Sequence, residues 1–258
     1  MSSALASPIW LAPALAGVIG LALGSFFTVL IERWPAGRSL VAPRSSCDHC
    51  ERTLSPLELV PVLSWIALRG RCRGCGGRVD GRYAAVELAT GALAAGAIAA
   101  FGPTWRGLAV AILLVALVPV VVIDLRHKLI PDIVVLPAAT AGLGAAVAAD
   151  PGRWWVPVAS AFGAAGFLAL LGVIRPGGMG MGDAKLGLLL GAVLGSAVVP
   201  ALVAAFAAGA LIGLALLAAR GAAARRTAVP FGPFLSAGAL VALLWGHTLI
   251  GWYQGQVA

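Results

Sequence analysis

No charged side chain occurs between Gly107 and Ile123, and none occurs in the first thirty-one residues. Uncharged apolar runs of this length suit the ~30 Å hydrocarbon core of a bilayer, which a helix crosses in about 20 residues. The chain is 60% hydrophobic and 11% charged, with a mean hydropathy of +0.98, which excludes a soluble globular domain. Within lipid the backbone has no water to bond, so an open sheet edge is excluded and the spans must be helical. The expected fold is therefore an all-α polytopic membrane protein of about eight transmembrane helices with one small zinc-ribbon-like cytoplasmic loop. The spans are read at 8–31, 83–101, 106–123, 131–149, 154–174, 184–197, 200–219 and 233–253. The sixth is short and glycine-rich, and Pro200 is expected to break the chain before the seventh; counts of six or seven spans stay open.

Charge tests this count independently. With the N-terminus outside, the inside segments are 32–82, 124–130, 175–185 and 220–232, and they hold sixteen of the eighteen Lys and Arg residues. Only Arg106 and Arg153 fall outside, which is the positive-inside bias. The net charge of +8 needs no nucleic-acid partner, since topology and anionic lipid headgroups account for it. A cleaved signal peptide needs a basic start, and no charge precedes Glu32, so the first apolar segment is read as a retained span.

Two carboxylates stand at the ends of apolar runs. Asp124 follows the run ending at Ile123, and Asp183 lies in Gly180-Met-Gly-Asp183-Ala-Lys185 before another. Acids at membrane depth are costly and mark functional sites. Two at one predicted level suggest a pair sharing a proton, the working unit of aspartic proteases. The competing reading is helix capping: Asp183 suits the start of the helix expected from Ala184, and Asp132, after Pro131, suits it better still. Asp132 is accordingly read as an accessory acid. Lys185 is read as the partner of an acid or of a lipid phosphate. Gly177, Gly178, Gly180 and Gly182 would let backbone approach a substrate closely, or would simply separate two helices.

All four cysteines lie in the loop, as Cys47-Asp-His-Cys50 and Cys72-Arg-Gly-Cys75. Two CxxC turns 21 residues apart present four thiolates to one tetrahedral ion, with Gly74, Gly76 and Gly77 easing the second turn. Two disulfides or four idle thiols are the alternatives, and a reducing cytoplasm disfavours the first. Structural zinc suits a loop too short to build a core. Four cysteine ligands leave no open position for catalysis. His49 is read as a solvated neighbour of the cluster.

Taken in order, these segments resemble the bacterial type IV prepilin peptidases, membrane aspartic proteases of the GxGD type. The likeness runs through Gly24-Ser25-Phe26 with Arg33-Trp34-Pro35, then the CxxC pairs, Pro61-Val-Leu-Ser64-Trp65 and Arg82-Tyr83-Ala-Ala-Val86-Glu87. It continues through Asp124–Asp132 and Gly180–Lys185, and closes on Pro230-Phe-Gly-Pro233-Phe. The resemblance implies Asp124 and Asp183 as catalytic residues, with Asp132, Gly180, Gly182 and Lys185 accessory, and Cys47, Cys50, Cys72 and Cys75 as metal ligands. It implies removal of a short basic leader from prepilins or pseudopilins at the cytoplasmic side of the bacterial inner membrane. In many members N-methylation with S-adenosylmethionine follows. It also implies three parts: a first span over 1–34, a cytoplasmic loop over 35–82 and a membrane-embedded aspartic peptidase domain over 83–258. Thr28 stands where the family usually has asparagine, and Asp48 where proline is common. Both departures lie in the region that the family links to methylation and zinc.

Two other functions fit parts of the sequence. An assembly protein holding pilins through its zinc loop would not need either aspartate. A transporter would place acids at mid-membrane rather than at the ends of spans.

Overall fold

The computed structural model describes residues 9–174, 179–221 and 229–257. Among these the secondary structure is helical, apart from two isolated antiparallel bridges, Ser46 with Thr53 and Arg71 with Arg78. The helices are α1 (Leu11–Arg33), α2 (Leu63–Ala67), α3 (Gly81–Phe101), α4 (Trp105–His127), α5 (Asp132–Ala149), α6 (Trp155–Ile174), α7 (Met181–Leu194), α8 (Val198–Arg220) and α9 (Gly232–Val257). All but α2 are apolar and stand where the eight spans are expected, their ends differing by four residues or fewer. Among the described residues six helical stretches are long and apolar enough to cross a membrane; the one over Met181–Arg220 combines α7 with α8. A shorter apolar helix covers Gly232–Gly246.

The break before α8 differs from expectation. Gly195 ends α7 at φ +58, a left-handed conformation open to glycine at little cost, and a single 3-10 turn over Gly195–Ala197 leads into α8. Pro200 falls inside the first turn of α8, where its missing N–H has no helical partner to lose. Gly177 and Gly178 lie outside the described residues.

The chain forms two compact units, divided after Pro119. In the first, α1 packs along α3 and the loop between them carries the cysteines. Lipid supplies no hydrophobic drive between helices, so close backbone approach must hold them. Gly20 and Gly24 provide it: an added Cβ at Gly20 would sit 2.8 Å from the Thr90 carbonyl oxygen, and one at Gly24 2.6 Å from the Glu87 Cα.

In the second unit α7 is the central helix, packed against α5, α6 and α9. Ten of its 14 residues are buried, Asp183 among them. Its length, about 21 Å at 1.5 Å per residue, is less than the bilayer core requires. A short helix enclosed by longer ones sets its first turn, which carries Asp183, inside the protein. Gly187 and Gly191 let α6 close on it, and Gly238 lets α9 close on α8.

Gly191 offers the most direct test of this packing, because a Cβ there would meet the Ser160 carbonyl oxygen at 2.2 Å. Gly191→Ala should force α6 from α7 and destabilise the second unit by about 1–3 kcal/mol. A thermal melt in detergent checks it, and an unchanged midpoint would contradict the close helix contact.

Candidate functional site

Asp124 lies in the last turn of α4 and Asp183 in the first turn of α7. Both are buried, 4% and 8% exposed, against a general rule that carboxylates stay in water unless partnered. Among the described residues each has one hydrogen-bond partner, on one oxygen. The Asp183 Oδ2 accepts the N–H of Gly180 at 3.0 Å, and the Asp124 Oδ2 accepts the N–H of Gly232 at 2.8 Å. Both lie in the second unit, where the turn after α4 meets the start of α7.

The two segments are fastened together around this pair. An added Cβ at Gly182 would meet the Ile130 Cβ at 2.9 Å, so the glycine lets the turn after α4 lie against the start of α7. Lys128, at φ +55, ends α4 with its N–H on the Asp124 carbonyl at 2.9 Å, and the chain turns from there into α5. Asp132 begins α5 and accepts from Lys185 Nζ at 2.5 Å. That ion pair is half-exposed, so its value lies in fixing α5 on α7 rather than in net stability.

The capping bond of Asp183 uses one of its two oxygens. The residue is the third of α7, which begins at Met181 rather than Ala184, and its carboxylate reaches back to the N–H at Gly180. The same bond that satisfies a helix-end donor orients the acid. Gly232 is the participant that the sequence did not single out. It lies in Pro230-Phe-Gly-Pro233-Phe, noted as a motif, but its partner is 108 residues away.

The first unit holds a second cluster. The sulfur atoms of Cys47, Cys50, Cys72 and Cys75 lie within 4.8 Å of one another, Cys47 and Cys75 being 3.9 Å apart. Tetrahedral zinc with bonds of about 2.3 Å needs sulfur atoms about 3.8 Å apart, so the cluster fits such an ion with little movement. The two turns repeat one design. The N–H two residues after the leading cysteine points at its sulfur, His49 to Cys47 at 3.4 Å and Gly74 to Cys72 at 3.3 Å. The N–H four residues after it closes on its carbonyl, from Glu51 at 2.8 Å and from Gly76 at 2.9 Å.

Thiol chemistry points the same way. The N–H groups of Cys75 and Gly74 hold Cys72 down at about 6. Cys50, although drawn down by the Arg52 N–H, is pushed up to about 11 by its neighbours, Cys75 first. Four adjacent thiolates repel one another unless a cation lies among them. His49 is no ligand here: its Nε2 donates to the Arg78 carbonyl at 3.1 Å and its ring covers Gly77, where a Cβ would lie 2.6 Å from Cδ2. The loop is braced further by Glu58, held down at about 2 chiefly by Arg52 at 2.5 Å, with Ser55 adding two bonds.

Beside these turns lies a cavity of about 390 Å³ between the ends of α1 and α3 and the loop. Its wall includes Thr28, Glu32, Arg33, Arg71, Tyr83 and Glu87. Glu87 is buried and accepts the N–H of Val62 at 2.7 Å, holding that β-branched residue at φ +60.

Comparison with known proteins comes to the same segments. The bacterial peptidase A24 N-terminal domain family matches residues 18–101, and the type IV leader peptidase family matches residues 111–218. A prepilin leader peptidase/N-methyltransferase of Bacillus subtilis is 37% identical over 239 residues, covering 92% of this chain and 95% of the relative. Proteins of the same description from Burkholderia pseudomallei and Aeromonas hydrophila are 38% and 34% identical, with 93% and 95% of this chain covered and 88% and 94% of theirs. No solved structure matches the chain significantly.

The repeated turn design makes a prediction at one of its asymmetries. Glu51, at φ +56, holds the left-handed place that Gly76 holds in the other turn at φ +70. Glu51→Gly should stabilise the loop and Gly76→Ala destabilise it, each by roughly 1 kcal/mol. Unfolding followed by the fluorescence of Trp65 measures both, and equal midpoints would contradict the design.

Proposed function

Because the chain belongs to the type IV leader peptidase family, we propose that it is a multi-pass aspartic endopeptidase of the bacterial inner membrane that removes the short basic leader from type IV prepilins or pseudopilins. The observation carrying this reading is the buried pair Asp124 and Asp183, each with one oxygen taken by a backbone N–H. Two carboxylates that share a site do not both ionise readily, and in this reading they hold one proton between them. The ionised member takes a proton from a water, and the protonated member polarises the scissile carbonyl. As the amide nitrogen leaves, it receives a proton from the pair, which returns to its starting state. The two act as a unit, with neither assigned as the base.

Position suits the substrate. Prepilins carry the scissile bond just before a hydrophobic helix, hence at the membrane surface, and Asp124 and Asp183 stand at helix ends. In this reading the N-terminus is outside and the 32–82 loop is cytoplasmic, which keeps a basic leader on its favoured side. The exposed Trp10, Trp105, Trp154 and Trp155 agree with it. They lie at the starts of α1, α4 and α6, as residues at a membrane–water interface do on either side of the bilayer.

Cys47, Cys50, Cys72 and Cys75 would hold a structural zinc ion. It closes a loop that otherwise has little core, and it supplies no chemistry to cleavage. The relatives' description extends the reading to N-methylation of the new N-terminus. S-adenosylmethionine supplies an electrophilic methyl group when bound, and it is a zwitterion with a further sulfonium charge. The cavity of the first unit has both signs in its wall, Glu32 and Glu87 with Arg33 and Arg71, and these are the residues that would hold it.

Cleavage of a prepilin in detergent tests the main claim. Asp124→Asn and Asp183→Asn should each slow leader removal by at least about 100-fold while the protein stays folded. Cleavage at the native rate by either variant would contradict the mechanism. Zinc analysis of purified protein tests the loop: Cys72→Ser should lose the ion and leave α1 and α3 helical. A wild-type protein purified without any zinc would contradict that assignment.

A further inference from the structure

We propose that Gly232 is a positioning residue of the aspartate pair, fixing which oxygen of Asp124 is free to react; this rests on the catalytic pair assigned above. Asp124 Oδ2 accepts the Gly232 N–H at 2.8 Å, and a Cβ on residue 232 would lie 2.7 Å from that oxygen and 3.3 Å from Cγ. The carboxylate thus occupies the space that a side chain would need. Only glycine supplies the N–H and leaves that room.

The donor is held firmly. Gly232 is the first residue of α9, so its N–H has no partner within the helix, and the helix dipole favours an anion there. Its carbonyl accepts the buried Ser236 hydroxyl at 2.8 Å. On either side stand Phe231 and Phe234, their rings 6.0 Å apart, and Phe231 packs on Phe206 of α8 at 5.1 Å. Phe206 in turn meets Phe167 of α6 at 6.1 Å, edge to face. Aromatic packing from two further helices therefore fixes the turn that delivers the N–H.

The arrangement repeats at the other acid, where Gly180 donates to Asp183 Oδ2 at 3.0 Å. No described residue bonds the Oδ1 of either aspartate. Among the described residues each acid thus has one oxygen held by a glycine N–H, and the proposal gives the other to the shared proton, the water and the scissile carbonyl. Gly180 is three residues from its aspartate, whereas Gly232 is 108 residues from its own. Orientation of Asp124 therefore depends on docking of α9, which a purely local site would not require.

Two measurements on the full chain in detergent decide it. The sequence has three Phe-Gly peptide bonds, at Gly102, Gly163 and Gly232. Protein labelled with carbonyl-¹³C phenylalanine and ¹⁵N glycine therefore isolates three amide signals. One of the three should move with pH in the wild type and cease to move in Asp124→Asn; if all three stay fixed in the wild type, the bond to the carboxylate is absent and the proposal falls. In the second, Gly232→Ala should lower kcat for prepilin cleavage by at least about tenfold with KM within about twofold of wild type. A wild-type kcat in Gly232→Ala, with Asp124→Asn inactive, would overturn the positioning role alone. Full activity in Asp124→Asn would instead overturn the pair itself. Should Gly232→Ala fail to fold, the labelled wild type still gives the answer.

Discussion

A carboxylate buried among membrane helices has few partners, and here its partners are backbone N–H groups left over at helix ends. The Gly180 donor at α7 and the Gly232 donor at α9 take one oxygen each of Asp183 and Asp124. Nearly all other backbone donors in lipid are committed to helix bonds, so an acid can be accommodated only where a helix begins. That constraint explains why α7 is short, why it sits at the centre of the second unit, and why glycines surround it. Moving the first turn of α7 by one residue would take Asp183 out of reach of the Gly180 N–H.

The glycines follow from the same requirement. Gly182 lets Ile130 close over the pair, Gly187 and Gly191 admit α6 against α7, and Gly238 admits α9 against α8. Each removes a side chain where two backbones must approach, which is how helices associate in a solvent as apolar as themselves. The first unit uses Gly20 and Gly24 in the same way, and its polar loop depends instead on paired cysteine turns. The helices are packed by omission, and the loop is shaped by its sulfur atoms.

Much of this was legible in the sequence because bilayer thickness limits helix length. Runs such as 107–123 leave few choices, and the observed α4 differs only by carrying its last turn through Asp124 to His127. The break before α8 was misplaced at Pro200. Proline is tolerated in a first helical turn, and Gly195 makes the break by adopting a positive φ, which a sequence does not display. The helix carrying Asp183 was expected to begin at Ala184 and begins at Met181, so that the capping bond runs back from Asp183 to the Gly180 N–H. His49 was read as a solvated neighbour of the cysteines and is exposed, and its ring also spans from Gly77 to the Arg78 carbonyl. Gly232 went unassigned since a backbone donor leaves no residue-type signature, and its acceptor is more than a hundred positions away.

The central claim is that Asp124 and Asp183 form one chemical unit, and comparing the residual kcat of Asp124→Asn, Asp183→Asn and the double variant tests it most directly. Groups that share one proton lose their whole contribution when either is neutralised, so the double variant should cleave a prepilin no more slowly than the slower single variant. If the two losses multiply in the double variant, the aspartates contribute independently and the shared-proton account is wrong.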